Sequence, residues 1–200
     1  MQVINISRSP CDVKGVINIK CDLANQDDII KATDNIRQKY TKFGALVNCA
    51  GVITCEGVDK NIYPELERVI KVNTLAPMFL TSQLLDLIKE NGADVVNIGS
   101  TAGTKGTKSG IYGTSKWALR GVSENLRVEL GGTQCRVIQF NPSGIGTKLF
   151  KEYHGKDSDT PANWMQPKDV ASIILFALKL PKQIEISELL INRKTGGHYK

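Results

Sequence analysis

Several things are scarce in this sequence, and each shortage removes a class of function. No apolar run approaches the ~20 residues that span a bilayer. The opening stretch MQVINISRSP has neither the basic n-region nor the apolar h-region of a secretory signal. A cytoplasmic protein without a membrane partner is therefore expected. Only His154 and His198 are available to join the cysteines in a metal site, and neither stands at ligand spacing, so no metal is expected. The 5 cysteines, Cys11, Cys21, Cys49, Cys55 and Cys135, are odd in number and lack CxxC spacing. Lying mostly in or beside apolar runs, they read as reduced, buried thiols rather than a disulfide framework. The net charge is +6, but the lysines and arginines are scattered, with no basic helix face and no interleaved aromatics. No nucleic-acid partner is expected.

What is present is an ordinary globular composition: 200 residues, 41% hydrophobic and 23% charged, enough for one domain, residues 1–200, with a real core. Short β-branched runs predict strands at VINI (3–6), VINIKC (16–21), ALVNCA (45–50), ADVVNIGS (93–100), CRVIQFN (135–141) and ISELLIN (186–192). Helical spacing of apolar residues fills most of the intervals. One helix is expected over Gln26 to Thr41, with Ile29, Ile30, Ala32 and Ile36 near one stripe, and a long one over Tyr63 to Glu90 with a kink at Pro77. Others are expected over Ile111 to Leu130 and over Gln166 to Leu180, where Pro167 suits the first turn. Apolar strands separated by helices imply a doubly wound α/β architecture, a mostly parallel sheet covered by helices on both faces. The polar stretch 151–165 follows a strand's carboxyl end and is the candidate substrate lid.

Within the third predicted helix, Tyr112 and Lys116 stand four residues apart, so a phenol and an ammonium group share one face. That pairing is a possible proton donor. Five motifs then occur in order: NCAG (48–51), KVNTLAP (71–77), NIGSTAG (97–103), YGTSK (112–116) and NPSGIGT (141–147). Together they resemble the short-chain dehydrogenase/reductase family, and the resemblance covers nearly the whole chain. It implies a Rossmann-like fold and an oxidoreductase that moves hydride between NADP(H) and a carbonyl or alcohol substrate. The catalytic set implied is Asn73, Ser100, Tyr112 and Lys116. Tyr112 would be the general acid/base, Lys116 the cation beside it and a ligand of the nicotinamide ribose, Ser100 the holder of the substrate oxygen, and Asn73 the anchor of a water in a proton relay. Taken singly, each also fits a plainer reading, such as a half-buried helix tyrosine or a strand-end serine.

The same resemblance assigns cofactor contacts. Asn48, Ala50 and Gly51 form a small-residue turn beside the adenosine half, with Cys49 where the family has a second asparagine. Asp22 and Leu23 match the adenine-contacting pair, and Pro142, Ile145 and Thr147 the segment against nicotinamide. Arg8, in Ser7-Arg8-Ser9, stands where NAD binding usually wants an acidic residue; a guanidinium there suits the 2′-phosphate of NADP, so NADP is favoured over NAD. The departure is at the front. Residues 3–7 and the stretch SRSPCDVKG cannot supply the strand, glycine-rich turn and helix that hold the cofactor pyrophosphate. VINISRS instead resembles the second family strand, so the chain as given lacks a βα unit of roughly 30 residues. Loss of that central strand would split the sheet and expose apolar edges, which favours an incomplete sequence over a natural short form. Two rivals stand beside the reductase reading: a non-catalytic remnant serving as a binding or oligomerisation module, and a sugar-nucleotide epimerase. The second is discounted because little chain follows Lys116. The family expectation for assembly is a homodimer or homotetramer through the two long helices.

Overall fold

The structure is a computed structural model and describes residues 2–54, 62–108, 110–149 and 164–194. Cys55, His154, His198 and residues 151–163 of the candidate lid lie outside the described residues.

Six strands form where β-branched residues are dense: β1 (Val3–Ser7), β2 (Val16–Lys20), β3 (Ala45–Asn48), β4 (Asp94–Ile98), β5 (Val137–Pro142) and β6 (Glu188–Ile191). Every pairing is parallel. The sheet comes in two pieces, β1-β2 and β3-β4-β5-β6. Between the facing edges of β1 and β3 runs a cleft of about 1120 Å³, lined by Ile4, Ile6, Ile36, Leu46 and Leu80 among others. In the small piece, VINIS lies in register on VINIK, and the Asn5 amide donates to Asn18 Oδ1 across the pair at 2.8 Å.

Alternation along β4 and β5 sends neighbours to opposite faces. Val95 and Val137 join one apolar cluster with Ile29, Ile36, Leu84 and Ile88, while Val96, Ile138 and Phe140 join another with Val170 and Ala177. A sheet buried on both faces is the doubly wound α/β arrangement predicted from the apolar runs. Each such fully buried side chain contributes about 1.5–3 kcal/mol.

Helix α1 (Gln26–Lys39) starts where Asn25 Oδ1 accepts the Asp28 N–H and buries Ile29, Ala32 and Ile36, as its spacing predicts. The long second helix differs from expectation. It is three helices, α2 (Tyr63–Ile70), α3 (Ala76–Gln83) and α4 (Leu85–Asn91), with a π-helical segment Lys71–Leu75 joining the first two. The break is this widened turn, in which the Ala76 N–H reaches back to Lys71 O, rather than Pro77 itself, which sits harmlessly in the first turn of α3. A second break falls at Leu84. Helix α5 (Gly110–Glu129) and helix α6 (Pro167–Lys179) follow the predicted spans closely. Asp169 accepts the Gln166 N–H at the start of α6, a reciprocal cap that the sequence pattern carries in Gln-Pro-Lys-Asp. At its other end the buried Arg136 guanidinium, paired with Asp94 at 2.7 Å, donates to the carbonyls of Leu178, Leu180 and Ile184.

Candidate active site

Parallel strands put all their carboxyl ends on one edge, and the motif residues collect there. Ser100 lies two residues beyond β4, Asn73 in the π segment, residues 49–54 beyond β3, and Tyr112 and Lys116 on the first turns of α5. The Ser100 and Tyr112 side chains are neighbours. Burial pushes the Tyr112 phenol above its usual value of 10.0, and the nearby Ser100 hydroxyl only partly offsets it. The expectation that Lys116 holds the phenol down is therefore not what dominates: desolvation wins. At neutral pH Tyr112 keeps its proton.

Lys116 is 4% exposed. Its ammonium donates to Ile98 O at 2.8 Å and lies 5.8 Å from the Tyr112 ring centre. Burial lowers its pKa to about 8, with Cys49 acting in the opposite direction. Asn73 is fully buried: Oδ1 accepts the Val52 N–H at 2.8 Å, and Nδ2 donates to Val52 O at 2.9 Å and to Ser115 Oγ at 3.0 Å. The amide thus fastens the loop after β3 to α5, directly beneath Lys116. A π-turn is what aims it there, since the extra residue rotates Asn73 inward. A β-carbon on Gly51 would stand 3.6 Å from both Asn73 Oδ1 and Lys116 Nζ, so this glycine faces the lysine but is not demanded by space.

The remaining predicted contacts divide. Asn48 is buried and donates to Asn97 Oδ1 at 2.8 Å and to Thr81 Oγ1 at 3.3 Å, which ties strands and helix together. Ala50 is exposed beside it. Cys49 is exposed too, against the expectation of a buried thiol, because its neighbour Asn48 takes the inward position at the strand end; Cys21 and Cys135 are buried as expected and Cys11 is half-buried. Asp22 Oδ1 accepts the Ala24 N–H while the Asp22 N–H donates to Asp28, so the residue shapes the entry to α1, and Leu23 lines the central cleft. Arg8 is exposed at the end of β1. Arg8, Asp22 and Leu23 thus belong to the small sheet piece and the catalytic four to the large one. Pro142 is buried at the end of β5; Ile145 bridges to Met165, and Thr147 folds back on the Ile145 carbonyl. Ser143, where the family has glycine, has an ordinary backbone conformation and accepts the Arg193 N–H at 2.9 Å.

The sequence reading missed a second constellation under the first. Asn48, Asn97, Gln139 and Glu188 are in direct register across β3, β4, β5 and β6. Side-chain bonds run without a break from Asn48 to Asn97, Asn97 to Ser123 (2.8 Å), Ser123 to Gln139 (2.6 Å), Gln139 to Asn141 (2.7 Å) and Asn141 to Glu188 (2.6 Å). Arg120 closes the row with a bidentate pair to Glu188, both bonds 2.8 Å. Tyr112, Lys116, Arg120 and Ser123 therefore form one face of α5, bonded along its length to strand ends. Gly99 sits on this row so closely that a β-carbon would lie 2.1 Å from Asn141 Oδ1 and 2.2 Å from Gln139 Nε2. Polar residues inside VVNI and VIQFN were the available signal. Among the described residues no three potential ligands cluster for a metal, and no helix is long and apolar enough to cross a membrane.

Comparison with known proteins bears on this geometry. The sequence profile of the short chain dehydrogenase family matches residues 8–158. The chain is 26% identical over 188 residues to human dehydrogenase/reductase SDR family member 11, covering 87% of this chain and 72% of that protein. It is 25% identical over 173 residues to an uncharacterized oxidoreductase of Staphylococcus saprophyticus, covering 85% and 72%. The closed form of a serine dehydrogenase complexed with NADP+ superposes with a TM-score of 0.84 at 25% identity, over 95% of this chain and 84% of that one. An alcohol dehydrogenase from Thermococcus sibiricus, complexed with 5-hydroxy-NADP, shares the fold with a TM-score of 0.80 at 20% identity, over 88% and 74%.

Proposed function

Since the chain belongs to the short-chain dehydrogenase family, a family of oxidoreductases, we propose that it transfers hydride between NADP(H) and a carbonyl or alcohol substrate through Tyr112, Lys116, Ser100 and Asn73. One observation carries this reading: the half-buried Tyr112 phenol is a neighbour of Ser100, with the Lys116 ammonium 5.8 Å from its ring centre. The bound cofactor supplies or accepts the hydride. Ser100 holds the substrate oxygen within reach of the phenol, and Tyr112 gives that oxygen its proton. A phenol raised above its usual value is protonated at neutral pH, the form that donates a proton in the reductive direction. Lys116 offsets the negative charge left on Tyr112, and its ammonium is held from the sheet side by Ile98 O.

The residues at the reactive end fit a nicotinamide nucleotide: Lys116 spends one donor on Ile98 and has others to offer a ribose. Arg8 favours NADP over NAD, and the similar serine dehydrogenase was solved with NADP+. The second reading is a non-catalytic binding or oligomerisation module. Exposed Leu75, Met78, Trp117 and Val128 on the π segment, α3 and α5 support self-association as a homodimer or homotetramer.

A thermal melt of the chain with NADPH and with NADH separates the readings. Binding to the native state alone adds about 2.7 kcal/mol at a hundredfold excess over Kd. An upward shift with NADPH and a smaller one with NADH is expected; a cooperative melt moved by neither would leave the binding-module reading.

A further inference from the structure

The described segments that follow β4, β5 and β6 leave the sheet on the same edge as Ser100, where an open α/β sheet receives its ligand. They carry Lys105, Lys108, Lys148, Arg193 and Lys194 and no aspartate or glutamate. The lysines are flexible surface charges; Arg193 is not. Its guanidinium lies 4.7 Å over the Trp164 ring, and that ring packs so tightly on Gly144 that a β-carbon there would come within 2.2 Å of it. Its backbone N–H is fixed to Ser143 Oγ. Cation, ring and loop therefore hold one another in place at the carboxyl ends of β5 and β6.

The other arginines sharpen the point. Arg37, Arg68, Arg120, Arg127 and Arg136 each pair with a carboxylate of the protein. Among the described residues, Arg8 and Arg193 do not. Arg8 stands where the resemblance places the cofactor's 2′-phosphate, and Arg193 stands at the substrate end of the same edge. A half-buried guanidinium held over a ring has N–H groups to offer a planar, bidentate acceptor.

We propose that the substrate is an oxo acid, and that Arg193 binds its carboxylate while Ser100 and Tyr112 hold the carbonyl oxygen. This rests on the reductase reading above but is tested apart from it. The protein has 2 tryptophans, so Trp117→Phe leaves Trp164, the ring under Arg193, as the sole reporter. Its emission is titrated with acetoacetate and with methyl acetoacetate, which differ by one charge. Acetoacetate is expected to bind about 10- to 100-fold more tightly than the ester. Arg193→Met should erase the preference, and Arg193→Lys should restore part of it. With NADPH present, Arg193→Met should raise KM for the acid and leave the ester's KM and both kcat values nearly unchanged. Equal binding of acid and ester, or a preference that survives Arg193→Met, would overturn the proposal. Acid-selective binding without NADPH turnover would sustain the anion site and remove the reductase reading instead.

Discussion

The two pieces of the sheet carry the same strand chemistry to different ends. In β3–β6 every strand is joined to its neighbour and stitched by the polar row from Asn48 to Arg120, and the central β4 and β5 are buried. In β1–β2 the five-residue strands pair only with each other, their residues are half-exposed, and one edge opens on the central cleft. Asn73, Ser100, Tyr112 and Lys116 stand with the continuous piece, and Arg8, Asp22 and Leu23 with the other. Groups that act together must be held to a fraction of an ångström, and Ser100, Tyr112 and Lys116 sit where the scaffold is bonded throughout.

The largest effect should come from the continuous piece. Tyr112→Phe removes the proton donor and should lower kcat by about 10²- to 10⁴-fold in NADPH-dependent reduction, with little change in the melt. Equal loss of stability and activity would mean that the phenol serves the fold rather than the chemistry. Next is Lys116. Its pKa falls from 10.5 to about 8 on folding, so between those values the unfolded chain holds a proton that the folded chain has released. Stability of the wild type should therefore rise with pH across that window, by roughly 3 kcal/mol, relative to Lys116→Met, and run parallel to it below pH 8. Urea unfolding at a series of pH values checks the sign.

A smaller effect tests the polar row. Gly99→Ala forces a methyl into the Gln139–Asn141 pair and should cost about 1–3 kcal/mol, whereas Gly51→Ala meets only ordinary contacts and should cost less than half of that. The smallest test concerns the weaker piece. Asn5→Ala deletes the bond to Asn18 and should cost about 0.5–1 kcal/mol if β1–β2 unfolds with the rest. An unmoved global midpoint, together with faster amide exchange in β1 and β2 than in β4 and β5, would show that the small piece opens on its own.

Much was legible in the residues. Val-Ile-Asn-Ile and Val-Val-Asn-Ile runs announce strands because β-branched side chains suit a buried pleat, and the ordered motifs from NCAG to NPSGIGT resemble one family whose profile the chain matches. Local spacing also put Tyr112 and Lys116 on one helix face. The π segment around Asn73 was not legible, since a widened turn follows from what the helix must reach across the fold, not from any residue in KVNTL. Nor was the polar row: Asn97, Gln139 and Glu188 are far apart in sequence, and only strand register makes them neighbours.

The sequence by itself determined the elements, the order of the strands' motifs and the chemical kinds of side chain available for proton transfer, because those depend on periodicities of two and 3.6 residues and on local turns. Tertiary structure alone decided the protonation bias of Tyr112 and Lys116, the exposure of Cys49, the clamp of Asn73 on Val52 and the ion pairs that the arginines make. Those are set by desolvation and by distances between residues remote in the chain, quantities that no single segment contains.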